Sequence, residues 1–127
     1  MKKKVIAVIL LTLFLSACNQ GDRYNFSGSS ENWEVFYVVD VARGTSQEKS
    51  GKIKYIGEGN PPETVDYQIE ATTGGSYGEG VAVIDGVVEA GRSTCDGCAV
   101  VQREDKLAVD ITWNGKTEKI QLTNQNK

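Results

Sequence analysis

The sequence predicts an all-β protein, an antiparallel β-sandwich with immunoglobulin-like topology, and a small closed β-barrel is the alternative arrangement. Apolar and polar residues alternate with a period of two in several segments after residue 32, which is typical of strands. Turn residues separate these segments at intervals of about eight to twelve residues. The 14 glycines and 2 prolines and the lack of apolar spacing for crossover helices favour an antiparallel fold over a parallel one.

Three longer segments carry the clearest strand patterns. Val65–Ala71 and Leu107–Trp113 alternate cleanly and predict half-buried strands with one wet face. Trp33–Val41 alternates less cleanly, because Phe36 and Val38 add apolar bulk to its second face. We expect this strand to be covered on both sides or to meet a partner. Shorter strands are predicted at Lys52–Ile56, Gly80–Ile84, Val87–Ala90, Ala99–Gln102 and Thr117–Leu122.

Turn residues and tryptophans support the same fold. Asn114-Gly115 lies between two predicted strands, where a two-residue type I′ hairpin prefers Asn-Gly. Asp85-Gly86 and Asp96-Gly97 give the same signal more weakly. Trp33 and Trp113 are predicted core residues, since each carries a large apolar area that a small domain needs to bury. The Cys, Trp, Cys core of antibody domains is absent, so the predicted topology depends on the strand pattern.

The first 17 residues are predicted to be a secretory signal peptide. Three lysines precede an apolar run, Val5–Phe14, that is too short to span a bilayer of about 30 Å. The run ends in Leu15-Ser16-Ala17-Cys18, which resembles the lipobox of bacterial lipoproteins. The resemblance implies cleavage before Cys18 and attachment of its thiol to diacylglycerol, with fatty acyl chains such as palmitate. An ordinary secretory signal with a chance cysteine is the alternative.

The chain without its signal is acidic and contains no histidine. Removing residues 1–17 takes three lysines from 14 basic residues and none of the 17 acidic ones, so 110 residues of net charge −6 remain. This charge disfavours nucleic acid as a partner. Without histidine, Ser-His-Asp and Cys-His catalysis and histidine-ligated zinc are excluded. We expect no enzyme activity, no cofactor and no metal.

Residues 18–31 are predicted to form the lipidated cysteine and a flexible tether, and residues 32–127 the folded domain. The tether sequence is polar, contains glycine and serine, and has too few apolar residues to bury much surface. Tyr24 and Phe26 are exceptions, because their spacing of two is that of an edge strand packed on the domain.

Cys95 and Cys98 are the two cysteines that remain besides Cys18. An even pair in an exported protein predicts a disulfide, here closing the turn Cys-Asp-Gly-Cys. The alternative is thiol–disulfide exchange, for which an exposed thiolate of low pKa is needed. Asp96 opposes this role because its charge raises the pKa of a neighbouring thiol. The sequence after Cys98 favours a strand, whereas exchange enzymes place the pair at the start of a helix.

Two loops are candidates for ligand binding. The glycine-rich stretch Thr72–Gly80 lacks the lysine and helix start of a phosphate-binding loop, so we expect an exposed loop with Tyr77 and Glu79 as ligand contacts. Gly57–Glu63 contains Pro-Pro and is expected to be an exposed turn that carries Glu58 as a third contact. A weak calcium site would need both loops to lie at the same end of the sandwich, which would bring together Glu58, Glu63 and Glu79. The spacing of these residues matches no known calcium-binding loop.

The lipobox and spacer, Phe26-x-Gly28-x-Ser30-x-Asn32-Trp33, and the hairpin Ile111–Glu118 resemble small uncharacterised surface lipoproteins of low-GC Gram-positive bacteria. This resemblance implies attachment to the extracytoplasmic face of the cell membrane and brings no catalytic residues. We therefore expect a membrane-anchored, non-enzymatic module that binds an envelope protein or a small ligand. A thiol–disulfide exchange factor using Cys95 and Cys98 is the alternative.

Overall fold

Eight antiparallel strands form one sheet that curves into a nearly closed barrel. This computed structural model describes residues 22–42, 46–71, 75–96, 101–102 and 104–125. The strands are β1 (Asp22–Ser29), β2 (Trp33–Ala42), β3 (Ser46–Tyr55), β4 (Thr64–Glu70), β5 (Ser76–Ala82), β6 (Val87–Asp96), β7 (Leu107–Trp113) and β8 (Lys116–Asn124). Their order in the sheet is β5-β4-β7-β8-β1-β2-β3-β6.

The predicted all-β, antiparallel class is confirmed. The strands form a single antiparallel sheet that is nearly closed, and this arrangement fits an all-β sandwich or a small barrel. In the part of the chain that the structure describes, no helix is long and apolar enough to cross a bilayer.

Strict alternation of side chains places one face of every long strand in the barrel interior. Every second residue of β7 from Leu107 to Trp113 is buried, and β4 has the same pattern. Trp33 and Trp113 lie edge to face with their ring centroids 5.4 Å apart, at 0% and 7% exposure. Both tryptophans therefore belong to the core, as predicted. On the outer face of β2, Phe36 remains 45% exposed.

Strand β1 corrects the predicted tether. The prediction assigned residues 18–31 to a flexible segment, but Asp22–Ser29 pairs with β2 on one side and β8 on the other. Phe26 supplies the reason, because it is 1% exposed in the core and Tyr24 packs against it at a centroid distance of 6.5 Å. The spacing of these two aromatics thus marks an interior strand and not an edge strand.

Strands β3 and β5 also depart from the prediction. Only the second half of β3 alternates in sequence, yet the strand begins at Ser46 because it pairs along its length with β2 and β6. The glycine-rich stretch was predicted to be a loop, but Ser76–Ala82 is a strand. Val101 and Gln102 are outside any strand, so that part of the predicted Ala99–Gln102 strand is wrong, and residues 99–100 lie outside the described ranges.

Two tight turns follow the sequence prediction. Asn114 and Gly115 have φ values of 48° and 74°, and Asp85 and Gly86 have φ values of 53° and 78°. Two successive residues in the left-handed region are the signature of a type I′ turn, which suits the twist of a hairpin. The third predicted turn includes Gly97, which lies outside the described residues.

The two ends of the barrel differ in the chain segments that they contain, and we name them accordingly. The amino pole is the end at which β1 begins, and the strand pairings bring there Ala42, Ser46, Glu70, Ser76, Leu107 and Asn124. The turn pole is the opposite end, formed by Ser30–Asn32, Ile56–Glu63, Ile84–Val87 and Asn114–Gly115. The β3–β4 connection crosses the turn pole, whereas β6 ends and β7 begins at the amino pole.

The sheet closes at the seam between its terminal strands, β5 and β6, which lie against each other. Each strand carries a bulge at a glycine with positive φ, Gly80 (58°) in β5 and Gly91 (50°) in β6. Gly91 N–H donates a hydrogen bond across the seam to Tyr67 Oη at 3.0 Å. Gly78 leaves room for the tyrosine ring, because a Cβ there would lie 2.6 Å from Tyr67 Cε1.

Tyr67→Phe is expected to destabilise the barrel. Tyr67 is 8% exposed, so removing its hydroxyl leaves the part-buried Gly91 N–H without an acceptor, at a cost of about 1–3 kcal/mol. The measurement is the free energy of unfolding in urea, with the exposed Tyr77→Phe as the matched control. Equal stability of the two variants would show that the seam does not depend on this bond.

Candidate functional site

A groove of about 370 Å³ lies on the outer surface of the barrel, over strands β5, β4, β7 and β8. We call it the side groove. It is lined mainly by polar side chains that the strands turn away from the core: Asp66, Gln68, Tyr77, Glu79, Asp110 and Thr112. The ring of Tyr77 is 76% exposed. The groove is thus an open, acidic surface that carries the exposed aromatic side chain of Tyr77.

Strand register explains why these residues meet. Gln68 of β4 is paired with Tyr77 of β5 on one side and with Asp110 of β7 on the other. Asp66 lies two residues earlier on the same face and is paired with Thr112. Neighbouring strands are about 4.8 Å apart and alternate residues about 6.8 Å apart. The lining therefore forms a grid of polar groups fixed by backbone hydrogen bonds.

The carboxylates of the groove have different surroundings. Asp66 Oδ1 accepts a hydrogen bond of 2.7 Å from Gly80 N–H, at the bulge of β5. Asp110 Oδ1 is buried and has no hydrogen-bond partner in the described ranges, and Lys119 Nζ lies 4.0 Å away. Thr112 Oγ1 lies 2.9 Å from Thr117 Oγ1, so these two hydroxyls bond each other. The groove therefore offers several acceptor oxygens to a ligand.

The structure brings together two of the three predicted ligand contacts. Tyr77 and Glu79 both line the side groove, although they do so from strand β5 and not from a loop. Glu58 is elsewhere, in a depression at the turn pole with Tyr55 and Lys116. Its backbone carbonyl accepts a hydrogen bond from Tyr55 Oη at 2.8 Å. Among the described residues there is no group of three or more acidic or cysteine side chains placed to hold a metal ion.

Cys95 lies near the end of β6, opposite Gln47 of β3. The Gln47 side chain is 4% exposed and accepts a hydrogen bond of 2.9 Å from Val101 N–H. This contact brings Val101, six residues after Cys95, back beside the start of β3. Cys98 and the predicted lipidation site Cys18 lie outside the described residues, so the Cys95–Cys98 bond and the lipid anchor stay predictions.

Sequence reasoning missed a carboxylate that organises the turn pole. Glu118 of β8 accepts hydrogen bonds from Ser30 Oγ, from Asn32 Nδ2 and, at 3.1 Å, from Asn32 N–H. These bonds tie β8 to the turn between β1 and β2. The sequence signal that could have found it is its position in the alternation, because Glu118 is in phase with Ile120 and Leu122, whose side chains are buried.

The hydrogen bonds change the acidity of Glu118. Desolvation is the largest single influence and acts to raise its pKa, but the bonds from Ser30 and Asn32, together with the charge of Lys116, outweigh it. The pKa of Glu118 therefore lies below the ordinary glutamate value. At neutral pH the turn pole is held together by an ionised carboxylate.

Comparison of the chain with protein-family models, with curated proteins and with solved structures gives no match.

Glu118→Gln is expected to lower stability at pH 7 by about 1 kcal/mol, because the hydrogen bonds then go to a neutral group. A lowered pKa in the folded state stabilises the protein above the ordinary glutamate pKa, and this stabilisation is lost as the pH falls through the folded-state value. The difference between wild type and variant should therefore shrink in acid. Urea unfolding at a series of pH values measures it, with the exposed Glu63→Gln as the control. A constant difference at all pH values would contradict the role of the charge.

Proposed function

We propose that this protein is a lipid-anchored, extracytoplasmic binding module without enzymatic activity, and that the side groove holds its ligand in the cell-wall space. The observation that carries the proposal is the convergence of Tyr77, Glu79, Asp66 and Asp110 on one groove. Its volume, about 370 Å³, is that of a small ligand site, since such sites are typically about 300–1,000 Å³.

The lining favours a ligand that donates hydrogen bonds. Carboxylate, amide and hydroxyl oxygens accept bonds from hydroxyl or ammonium groups. The exposed face of Tyr77 packs against flat apolar surfaces and attracts cations. A polyhydroxylated or amine-bearing component of the cell wall has this chemistry.

Binding accounts for the groove better than catalysis does. The hydroxyls of Thr112 and Thr117 are engaged with each other, and the chain contains no histidine to act as their base. A hydroxyl without an adjacent base is a weak nucleophile. The fixed acceptor groups therefore serve recognition.

For the cysteines we propose a structural disulfide between Cys95 and Cys98. Cys98 is the cysteine nearest to Cys95 in the chain, and an even pair of cysteines in an exported protein favours a disulfide. The return of Val101 to Gln47 at 2.9 Å supports a tight turn between them. Cys95 lies within β6, and a strand lacks the dipole by which the start of a helix stabilises a thiolate.

The anchor predicts that Cys18→Ala releases the chain from the membrane. Diacylglycerol contributes two acyl chains, and each buried methylene stabilises membrane binding by about 0.8 kcal/mol. We expect the wild-type chain in the membrane fraction of the producing cell and the variant among non-membrane proteins, or retained with its uncleaved signal. Fractionation with immunodetection measures this. Ser16→Thr serves as a control that leaves Cys18 intact, and equal membrane retention with normal processing of both variants would refute lipid anchoring.

Tyr77→Ala is expected to weaken binding to isolated cell walls about fivefold, which corresponds to an aromatic contact of ~1 kcal/mol. Co-sedimentation of the mature protein with purified walls gives the bound fraction. Ile84→Ala is the matched control, because Ile84 is 70% exposed and lies outside the groove. Equal binding by wild type and Tyr77→Ala, or an equal loss in the control, would argue against the side groove as the ligand site.

A further inference from the structure

The position of β1 determines how the barrel is placed on the membrane. We infer that the amino pole lies against the lipid headgroups and that the turn pole faces away from the membrane. The inference rests on the proposed lipidation of Cys18. Beyond the anchor itself, we infer the orientation of the barrel, which follows from the short distance between the lipid and the start of β1.

The chain between the anchor and the barrel is very short. Strand β1 begins at Asp22, four residues after Cys18, so the two Cα atoms are at most ~14 Å apart even when the chain is fully extended. A tether through residue 31, as the sequence alone predicts, would have left the barrel free to turn. Pairing of β1 with β2 from Asp22 onward removes that freedom.

The start of β1 is held firmly on the rim of the barrel. Asp22 is paired with Val41, and the next residue, Arg23, forms an ion pair with Asp40 at 2.8 Å. Tyr24 then packs edge to face on the buried Phe26. The attachment point is thus part of the sheet, and the short tether acts on the whole barrel.

The turn pole is beyond the reach of this tether. Strand β2 has 10 residues, which span about 33 Å along the strand. With the usual tilt of barrel strands, the height between the poles is about 25 Å. Turning the opposite pole towards the lipid would place Asp22 farther from the surface than ~14 Å allows. The side groove lies between the poles, so the membrane surface does not cover its opening.

Charge does not account for this placement. The chain from Cys18 onward has a net charge of −6, and acidic proteins are repelled by anionic lipid surfaces. The orientation is therefore imposed by the length of the tether. A longer tether should abolish it without releasing the protein from the membrane.

Energy transfer from the barrel to the membrane surface tests the orientation. The full lipidated chain is placed in phosphatidylethanolamine and phosphatidylglycerol vesicles that carry a headgroup acceptor. A donor dye is attached to the variant Glu70→Cys at the amino pole or to Asn60→Cys at the turn pole. Labelling is done without a reducing agent, so that disulfide-bonded cysteines do not react. Because the two positions differ in height by about 25 Å, transfer from position 70 should be clearly more efficient than transfer from position 60. Inserting twelve Gly and Ser residues after Gly21 adds roughly 20 Å of reach and should make the two positions equal.

Each outcome decides the inference. Greater transfer from position 70, lost on insertion of the longer tether, supports it. Equal transfer, or greater transfer from position 60, in a chain that floats with the vesicles overturns the orientation and leaves the anchor intact. A wild-type chain that does not float with the vesicles overturns the anchor, and the orientation with it.

Discussion

The barrel depends on the hydrogen bond of 3.0 Å between Gly91 N–H of β6 and Tyr67 Oη of β4, because it reaches past the terminal strand β5 and connects the two ends of the sheet. An open sheet exposes two rows of unpaired backbone groups, which invite pairing with other chains. Here both edges are bulged, at Gly80 and Gly91, and cannot continue a regular ladder. Tyr67 belongs to β4, and its ring passes Gly78 of the intervening strand β5. The hydrogen bond therefore connects β6 to β4. The inner faces of all eight strands then share one core.

The sequence pattern predicted the strands and tight turns, because these features depend on residues that are close together in the chain. Alternation located Leu107–Trp113 at its observed bounds and Trp33–Val41 to within one residue, because one face of each strand is buried. The Asn114-Gly115 turn was predictable because few residues adopt two successive positive φ values. The arrangement of strands was not predictable from these signals, since neither alternation nor turns specify that β3 lies beside β6 and β4 beside β7.

Features that depend on distant contacts escaped prediction for a physical reason. β5 contains glycines because the ring of Tyr67 and the bulge at Gly80 need space and positive φ, and the same glycines resemble a loop in sequence. Glu118 is bonded to Ser30 and Asn32, more than 80 positions earlier. In the side groove, Tyr77 and Glu79 were identified by their chemistry, whereas Asp66 and Asp110 joined them only through strand register.

The same register links the proposed anchor to the proposed binding site. Strand β1 pairs with β8, β8 with β7, and β7 with β4, so an unbroken series of backbone ladders runs from Asp22 to the floor of the side groove. Displacing one of these strands against its neighbour would break backbone hydrogen bonds, so the ladders couple the position of β1 to that of the groove. The polar segment Asp22–Ser29 that looks like a spacer in the sequence is therefore a structural strand. Under the proposed lipidation of Cys18, the height of a groove ligand above the membrane would be limited by the barrel and by the short stretch between Cys18 and Asp22.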